Sequence, residues 1–147
     1  MDLQKQTIED FGQQWTKYTT NNGYYGSLEL FQDIISPLMT IDEIRGTNVA
    51  EIGSGTGRIV DMLLEAGASH VTAIEPSDAF YVLQENIRCK VDRVCCYHVL
   101  GDQLPELADL DYIFSIGVLH HIPDPMPVVK AAYDALKPGG RFIGENR

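Results

Sequence analysis

A glycine-rich turn between a short apolar segment and an amphipathic segment constrains the fold of this chain more than any other feature. Residues 49–57 read Val-Ala-Glu-Ile-Gly-Ser-Gly-Thr-Gly, and apolar side chains recur at helical spacing over residues 58–66. Gly53, Gly55 and Gly57 have no Cβ, so the backbone can adopt positive φ there and approach a ligand closely. The pattern predicts a strand, a tight loop and a helix start, an arrangement whose backbone N–H groups bind nucleotide-like ligands.

Glu51 lies two positions before the first glycine and narrows the kind of ligand that the loop favours. A carboxylate at that position repels a pyrophosphate and favours a cationic group. The dinucleotide fingerprint Gly-x-Gly-x-x-Gly would also require glycine at position 58, where this chain has Arg58. The loop therefore favours a ligand with a nucleoside at one end and a positive charge at the other. A nicotinamide-dependent oxidoreductase is the less favoured alternative.

Apolar and amphipathic segments alternate along the rest of the chain, which predicts an α/β fold with a doubly wound, mainly parallel sheet of five strands and helices on both faces. Further strands are expected at 70–74, 94–100, 111–116 and after Gly140. Helices are expected over 28–35 and after Arg58, Ser77 and Met126, with Ser77 as an N-cap and Gly67 as a C-cap. The helix after Met126 is predicted to bury Val129, Ala132 and Leu136.

The ends of these strands carry further residues suited to a nucleoside ligand. Glu75 follows the second strand, about 20 residues after the first glycine, where doubly wound folds bind ribose hydroxyls. Asp102 follows the third strand, and its carboxylate can accept a hydrogen bond from an adenine amine while Leu104 packs against the base. Because such ligands bind beyond the carboxyl ends of parallel strands, these side chains are expected to share one site.

In their order along the chain, these motifs resemble those of the class I S-adenosylmethionine-dependent methyltransferases. The parts are Glu-x-Gly-x-Gly-x-Gly at 51–57, the acid at 75, Gly-Asp at 101–102, Val-Leu-His-His at 118–121 and Leu-Lys-Pro-Gly-Gly at 136–140. The resemblance covers residues 46–147 and implies a Rossmann-like fold, S-adenosyl-L-methionine as cofactor, and methyl transfer by in-line displacement.

The resemblance also implies which residues bind the cofactor. It assigns Glu51 and the backbone around Gly53 to the amino group of the methionine moiety. The predicted cofactor-binding residues are Glu51, Gly53, Ser54, Gly55, Gly57, Glu75, Pro76, Asp102, Gln103, Leu104, Ser115, Ile116 and Gly117.

His120 is the candidate catalytic residue. A histidine with an unperturbed pKa of about 6.5 can act as a general base on an acceptor O–H or N–H. The alternative for either His120 or His121 is to pack against the sheet or to hydrogen-bond a backbone carbonyl. A non-catalytic S-adenosylmethionine-binding module is kept as an alternative to a methyltransferase, because the chain ends earlier than methyltransferases of this class usually do.

Two units are expected along the chain: residues 1–45 as an aromatic-rich leader with a helix, and residues 46–147 as the cofactor-binding core. The leader is expected either to fold over the site as a lid or to form a hydrophobic clasp on the surface. Its aromatic residues are Phe11, Trp15, Tyr18, Tyr24 and Tyr25. Methyltransferases of this class usually continue beyond the fifth strand, so the C-terminal part of the domain is expected to be missing. A dimer contact or a further domain would then cover the fifth-strand edge.

Charge and composition bear on partners and location. The formal net charge is −10, from 11 basic and 21 acidic residues, and the basic residues form no stripe. Because binding to a phosphate backbone needs clustered Lys and Arg, a small-molecule acceptor and no nucleic acid are expected. No apolar run approaches the ~20 residues that span a bilayer, so no membrane partner is expected. The three cysteines form no metal-ligand pattern, which predicts no metal and a cytoplasmic location.

Overall fold

Five parallel strands form a single sheet in the computed structural model, which describes residues 27–104 and 107–145 apart from the side chains of His120 and Glu145. The strands are β1 (Asn48–Ile52), β2 (His70–Ile74), β3 (Val94–Tyr97), β4 (Leu110–Ile116) and β5 (Leu136–Glu145). Their order in the sheet is β3-β2-β1-β4-β5, with every neighbouring pair parallel. The predicted doubly wound α/β fold is confirmed. The aromatic residues of the predicted lid lie outside the described residues.

The central strands are buried on both faces. In β1 the residues from Val49 to Ile52 are all buried, and in β2 the residues from Val71 to Ile74 are all buried. Continuous burial of this kind requires cover on each side of the sheet, which is the usual condition of a parallel sheet. Four helices provide that cover: α1 (Leu28–Ile35), α2 (Arg58–Glu65), α3 (Ala79–Asn86) and α4 (Met126–Ala135).

The helices divide unequally between the two faces. Side chains from α1, α2 and α3 pack on one face in a core that includes Phe31, Leu63, Leu83 and Phe114. Helix α4 packs on the other face, where its apolar side chains meet residues of β1 and β4. The ring of Phe31 meets that of Phe114 edge to face, with centroids 5.8 Å apart. Helix α1, which the sequence assigns to the leader, thus shares a core with the strands that follow it.

The end of α2 shows how local sequence closes a helix. Gly67 has φ +98°, and its N–H donates to the Leu64 carbonyl at 3.0 Å, while the Ala68 N–H donates to the Leu63 carbonyl at 3.1 Å. These two bonds form a Schellman motif, which satisfies carbonyls that the helix itself leaves without partners. Gly67 therefore lies just beyond the helix, in the left-handed conformation that the predicted cap requires.

Several details of the sequence prediction are wrong, and one is the start of β5, which begins at Leu136 instead of after Gly140. Strand β3 ends at Tyr97 instead of Leu100, and the following residues form a turn in which the Gln103 N–H donates to the Leu100 carbonyl at 2.9 Å. Helix α4 buries Val128, Ala132 and Ala135, one residue out of phase with the predicted stripe of Val129 and Leu136. Leu136 leaves the helix in an extended conformation and begins β5, so it cannot continue the helical face.

Candidate functional site

A cleft opens at the carboxyl ends of β1, β2 and β4, which is where ligands bind in doubly wound sheets. It encloses roughly 980 Å³, including the part open to solvent, and its wall is mostly apolar with a few charged groups. Such a combination of size and lining suits a small organic ligand or cofactor. The wall consists of residues 51–56, Arg58, Ile59, Glu75, Pro76, Leu100, Gly101, residues 116–118, His121 and Ile122.

The glycine loop forms the floor of the cleft. Gly53 and Gly55 have φ of +82° and +56°, and the N–H groups of Gly53 and Ser54 donate to the Ile74 carbonyl at 2.8 and 2.9 Å. A Cβ on Gly53 would lie 2.5 Å from Cγ2 of Val118, which lines the opposite wall. Gly53 therefore has two reasons to be glycine: a left-handed backbone and a close approach of the segment after β4.

Gly57 has a different role from the one predicted. It lies outside the cleft wall, at the N-cap of α2 with φ +100°, and a Cβ there would come within 2.9 Å of Leu83 Cδ1 on α3. The third glycine of the motif thus permits close packing of two helices.

Gly53→Ala is expected to destabilise the fold more than Gly46→Ala. Both glycines have positive φ, but a Cβ on Gly46 would meet nothing within 4 Å. Gly46→Ala should therefore show only the backbone penalty of about 1–2 kcal/mol. Gly53→Ala should add about 1–3 kcal/mol for the overlap with Val118. Denaturant unfolding of the two variants and the parent measures the difference, and equal losses would contradict the close contact with Val118.

Glu75 connects the end of β2 to the glycine loop. Its Oε1 accepts a hydrogen bond from the Gly55 N–H at 2.7 Å, and its Oε2 accepts from the Ser77 N–H at 2.8 Å and the Ser77 hydroxyl at 2.5 Å. The Ser77 Oγ in turn accepts from the Ala79 N–H at 3.1 Å, although the N-cap of α3 is Asp78, one residue after the predicted Ser77. The carboxylate is buried but still borders the cleft, so it can accept a further hydrogen bond from a ligand hydroxyl.

Glu51 is the most unusual charged group of the site. The residue is only 2 % exposed, and within the described part of the chain its Oε1 atom has no hydrogen-bond partner. Burial raises the pKa of the Glu51 carboxyl to about 8, against the opposing effects of the Ser54 hydroxyl and the Arg58 charge. Burying an acid without a partner is unfavourable, and a cationic group of a ligand in the cleft would supply the missing partner.

The residues predicted to line an adenine pocket after β3 do not border the cleft, although their neighbours in sequence do. Leu100 and Gly101 border the cleft, whereas Asp102 and Gln103 are exposed and lie outside its wall. Leu104 packs instead against the core on the α4 side of the sheet. Because β3 ends at Tyr97, the chain turns before it reaches Asp102, and this turn separates the predicted residues from the cleft.

The end of β4 contributes Ile116, Gly117 and Val118 to the cleft wall. Ser115 is fully buried one residue earlier and lies outside the wall. Its Oγ has no hydrogen-bond partner among the residues that the structure describes. The 3₁₀ turn Leu119–His121 follows and brings His121 to the wall. The candidate catalytic residue His120 has no described side chain, so its role stays a prediction.

Several wall residues were not predicted: Ile52, Thr56, Arg58, Ile59, Leu100, Gly101, Val118, His121 and Ile122. Thr56, Arg58 and Ile59 lie within or directly after the glycine loop. Their closeness to the loop in sequence could have indicated that they border the cleft. Val118 and Ile122 follow a strand end, where only the turn geometry determines which side chains face the cleft.

Two general features concern membranes and metals. None of the helices in the described ranges is long and apolar enough to cross a membrane. Within the same ranges, no group of three or more His, Cys, Asp or Glu side chains is arranged to hold a metal ion.

Comparison with known proteins identifies relatives of this chain. Residues 50–142 match a family described as a methyltransferase domain. The tRNA U34 carboxymethyltransferase of Idiomarina loihiensis is 30% identical over 110 residues, which are 71% of this chain and 34% of that protein. The enzyme of the same name from Shewanella amazonensis is 32% identical over 116 residues, with 77% and 34% covered. The chain spans about a third of the length of these curated relatives.

Solved structures share the fold. An S-adenosylmethionine-dependent methyltransferase from Mesorhizobium loti has a TM-score of 0.67 at 24% identity, over 83% of this chain and 54% of that one. The PH0226 protein from Pyrococcus horikoshii has a TM-score of 0.68 at 22% identity, over 87% and 61%.

The sequence-based expectation of a small-molecule acceptor and no nucleic-acid partner is wrong, because these curated relatives are named for tRNA. The expectation rested on the net charge of −10. That charge is the charge of this chain alone, whereas the matched region is about a third of each relative.

Proposed function

Because this chain belongs to the methyltransferase-domain family, we propose that it is the cofactor-binding unit of an S-adenosylmethionine-dependent transferase that modifies tRNA. The observation that carries the proposal is the buried carboxyl of Glu51 beside the glycine loop, whose Oε1 atom has no partner among the described residues. The acceptor class rests on the names of the relatives, which are tRNA U34 carboxymethyltransferases. A tRNA acceptor also supports a cytoplasmic location.

The residues of the cleft suit the parts of S-adenosyl-L-methionine. Glu51 binds the amino group of the methionine moiety, which supplies the partner that its Oε1 atom lacks. Glu75 accepts hydrogen bonds from the ribose hydroxyls at the end of β2. The positive φ of Gly53 and Gly55 lets the backbone approach the ligand closely. Leu100 and Ile116 provide apolar walls for the adenine.

The chemical contribution of the chain is positioning. When bound, S-adenosylmethionine supplies a carbon already activated by a sulfonium, so the chain's own groups mainly orient the reactants and exclude water. Alignment of this kind contributes roughly 7–11 kcal/mol to lowering a barrier. His121 borders the cleft at the end of β4 and lies where a proton acceptor for the attacking group would be useful.

The first test is calorimetric titration of this chain with S-adenosylhomocysteine, with NADH as the comparison ligand. Saturable one-to-one binding of S-adenosylhomocysteine and no binding of NADH are expected. His120→Ala should leave this affinity nearly unchanged, because His120 is assigned to the acceptor side. Binding of NADH alone would contradict the proposal and favour an oxidoreductase.

A non-catalytic cofactor-binding module is the second candidate, and the short match to the relatives favours it. The chain matches about a third of each curated relative, and in this second candidate the groups needed for transfer belong to the remaining two thirds. Incubating the natural full-length protein with tRNA and radiolabelled S-adenosylmethionine separates the two candidates. Label in tRNA supports the transferase, and cofactor binding with no transfer supports the module.

A further inference from the structure

Arg58 is a cationic residue of the cleft wall to which the proposed function gives no role. Other basic side chains are already paired: Lys90 with Asp61 at 2.8 Å, Arg141 with Glu43 at 3.0 Å, and Arg93 with two backbone carbonyls. Within residues 27–104 and 107–145, the Arg58 guanidinium forms no hydrogen bond or ion pair. Its half-buried side chain therefore remains available to an anionic group of a ligand.

The position of Arg58 at the start of a helix strengthens the attraction of this part of the cleft for an anion. It is the first residue of α2, where the N–H groups of the first turn have no partner within the helix. The helix dipole places a partial positive charge at the same end. Both effects favour a carboxylate beside Arg58, and the guanidinium can bind such a group through two parallel hydrogen bonds.

Arg58 and Glu51 border the same part of the cleft. The Arg58 charge lowers the pKa of the Glu51 carboxyl against the larger effect of burial, so the two groups lie within electrostatic reach. Glu51 is itself buried and lacks a partner for Oε1 within the described residues. The cleft wall thus presents the Glu51 carboxyl at the end of β1, whose Oε1 atom lacks a partner among the described residues, and the Arg58 guanidinium at the start of α2.

This arrangement matches the chemistry of an amino acid, whose ammonium and carboxylate groups are attached to one carbon. The residues that bind these two groups must therefore border the same cleft, as Glu51 and Arg58 do. We propose that Arg58 binds the carboxylate of the methionine moiety, so that the chain recognises the amino-acid end of its cofactor as a zwitterion. The inference rests on the proposed function and adds the residue that distinguishes a carboxylated ligand from a decarboxylated one.

The test compares S-adenosylmethionine with its decarboxylated form, which keeps the amine but lacks the carboxylate. The parent chain should bind S-adenosylmethionine more tightly, by roughly 10–150-fold, the range for a hydrogen bond to a charged group. Arg58→Gln should lose most of this preference while binding the decarboxylated form as the parent does. Arg58→Lys should retain part of the preference, because it keeps the charge without the fork geometry.

Arg88→Gln is the matched control, since Arg88 pairs with Glu85 on the surface and lies outside the cleft wall. It should leave both affinities unchanged, and equal thermal unfolding midpoints would show that each variant is folded. If Arg58→Gln weakens both ligands equally, or neither, the inference is overturned while the proposed cofactor stands. If the parent binds neither ligand, the proposed function itself fails.

The curated relatives are named for transfer of a carboxymethyl group, which contains a carboxylate of its own. A separate titration therefore tests whether Arg58 binds that carboxylate instead. A cofactor that carries a carboxymethyl group on sulfur is titrated beside S-adenosylmethionine. We expect Arg58→Gln to weaken the binding of the two cofactors by the same factor, since each retains the methionine carboxylate. Weakening of the carboxymethyl cofactor alone would overturn the inference and assign Arg58 to the transferred group.

Discussion

Binding of S-adenosylhomocysteine is expected to weaken by about tenfold for each pH unit between 7 and 5. The physical reason is that Glu51 is buried, and its pKa is raised to about 8 in the unliganded chain. Below that pH the carboxyl is protonated, whereas an ammonium group needs the carboxylate as its partner. Each binding event must then release one proton, which gives the tenfold dependence on pH.

Calorimetry over this pH range, repeated in two buffers with different ionisation enthalpies, measures both the affinity and the released proton. Glu51→Gln is the control, because a neutral amide cannot release a proton. That variant should bind weakly at every pH, and its affinity should depend much less on pH than the affinity of the parent does. A parent affinity independent of pH would contradict the assignment of Glu51 to the amino group.

Glu51 gives the stability of the unliganded fold the opposite dependence on pH. The folded carboxyl has the higher pKa, so the folded state binds more protons than the unfolded state between pH 4.5 and 8. The contribution of Glu51 to the free energy of unfolding therefore decreases as pH rises through this interval. Glu51→Gln should make the stability less dependent on pH there.

Glu75→Ala is expected to reduce both cofactor affinity and stability. Loss of charged hydrogen bonds to ribose should weaken S-adenosylhomocysteine by roughly 10–150-fold, equivalent to about 1.5–3 kcal/mol. The substitution also leaves the N–H groups of Gly55 and Ser77 without their acceptor. Leaving a buried donor unsatisfied costs about 1–3 kcal/mol, so the unfolding midpoint should fall as well.

Ser77→Ala separates these two effects. It removes the hydroxyl that donates to Glu75 but keeps the carboxylate and its bond from Gly55. We expect some loss of stability in this variant, with much less effect on affinity than Glu75→Ala has. If Glu75→Ala binds the ligand as well as the parent does, the assignment of Glu75 to the ribose is wrong.

The succession of strands and helices along the chain and the position of the cleft could be predicted from the sequence because each depends on local patterns. Apolar segments identified the strands, and the glycines after β1 identified the loop that borders the cleft. Glu51 and Glu75 follow directly from these segments, since each lies at or just after a strand end. The structure places both at the wall of the cleft.

The adenine wall could not be predicted in the same way. Strand β3 is at the edge of the sheet and exposes Cys95, so its apolar pattern is too weak to define where it ends. An end point three residues too late was enough to place Asp102 in the cleft, whereas the residue is exposed. Contacts between distant segments, such as that of Val118 with Gly53, leave no local pattern at all.

The buried face of α4 illustrates a different ambiguity. Its sequence contains apolar residues in two phases, so Val128 with Ala135 and Val129 with Leu136 fit the helical period equally well. Contact with the sheet and the end of the helix at Ala135 decide between the two phases. Tertiary packing, which cannot be read from the sequence pattern, therefore determines which face of α4 is buried.

The central position of β1 has a consequence for how this chain is made. β1 pairs with β2 on one side, but its other neighbour, β4, begins only at Leu110. A ribosome that adds about 5–20 residues per second needs several seconds to cover that distance. During this interval the nascent chain carries a central strand with one unpaired edge, and the apolar side chains of Ala50 and Ile52 still lack the cover of α4. The growing polypeptide is therefore more exposed to self-association than the finished fold.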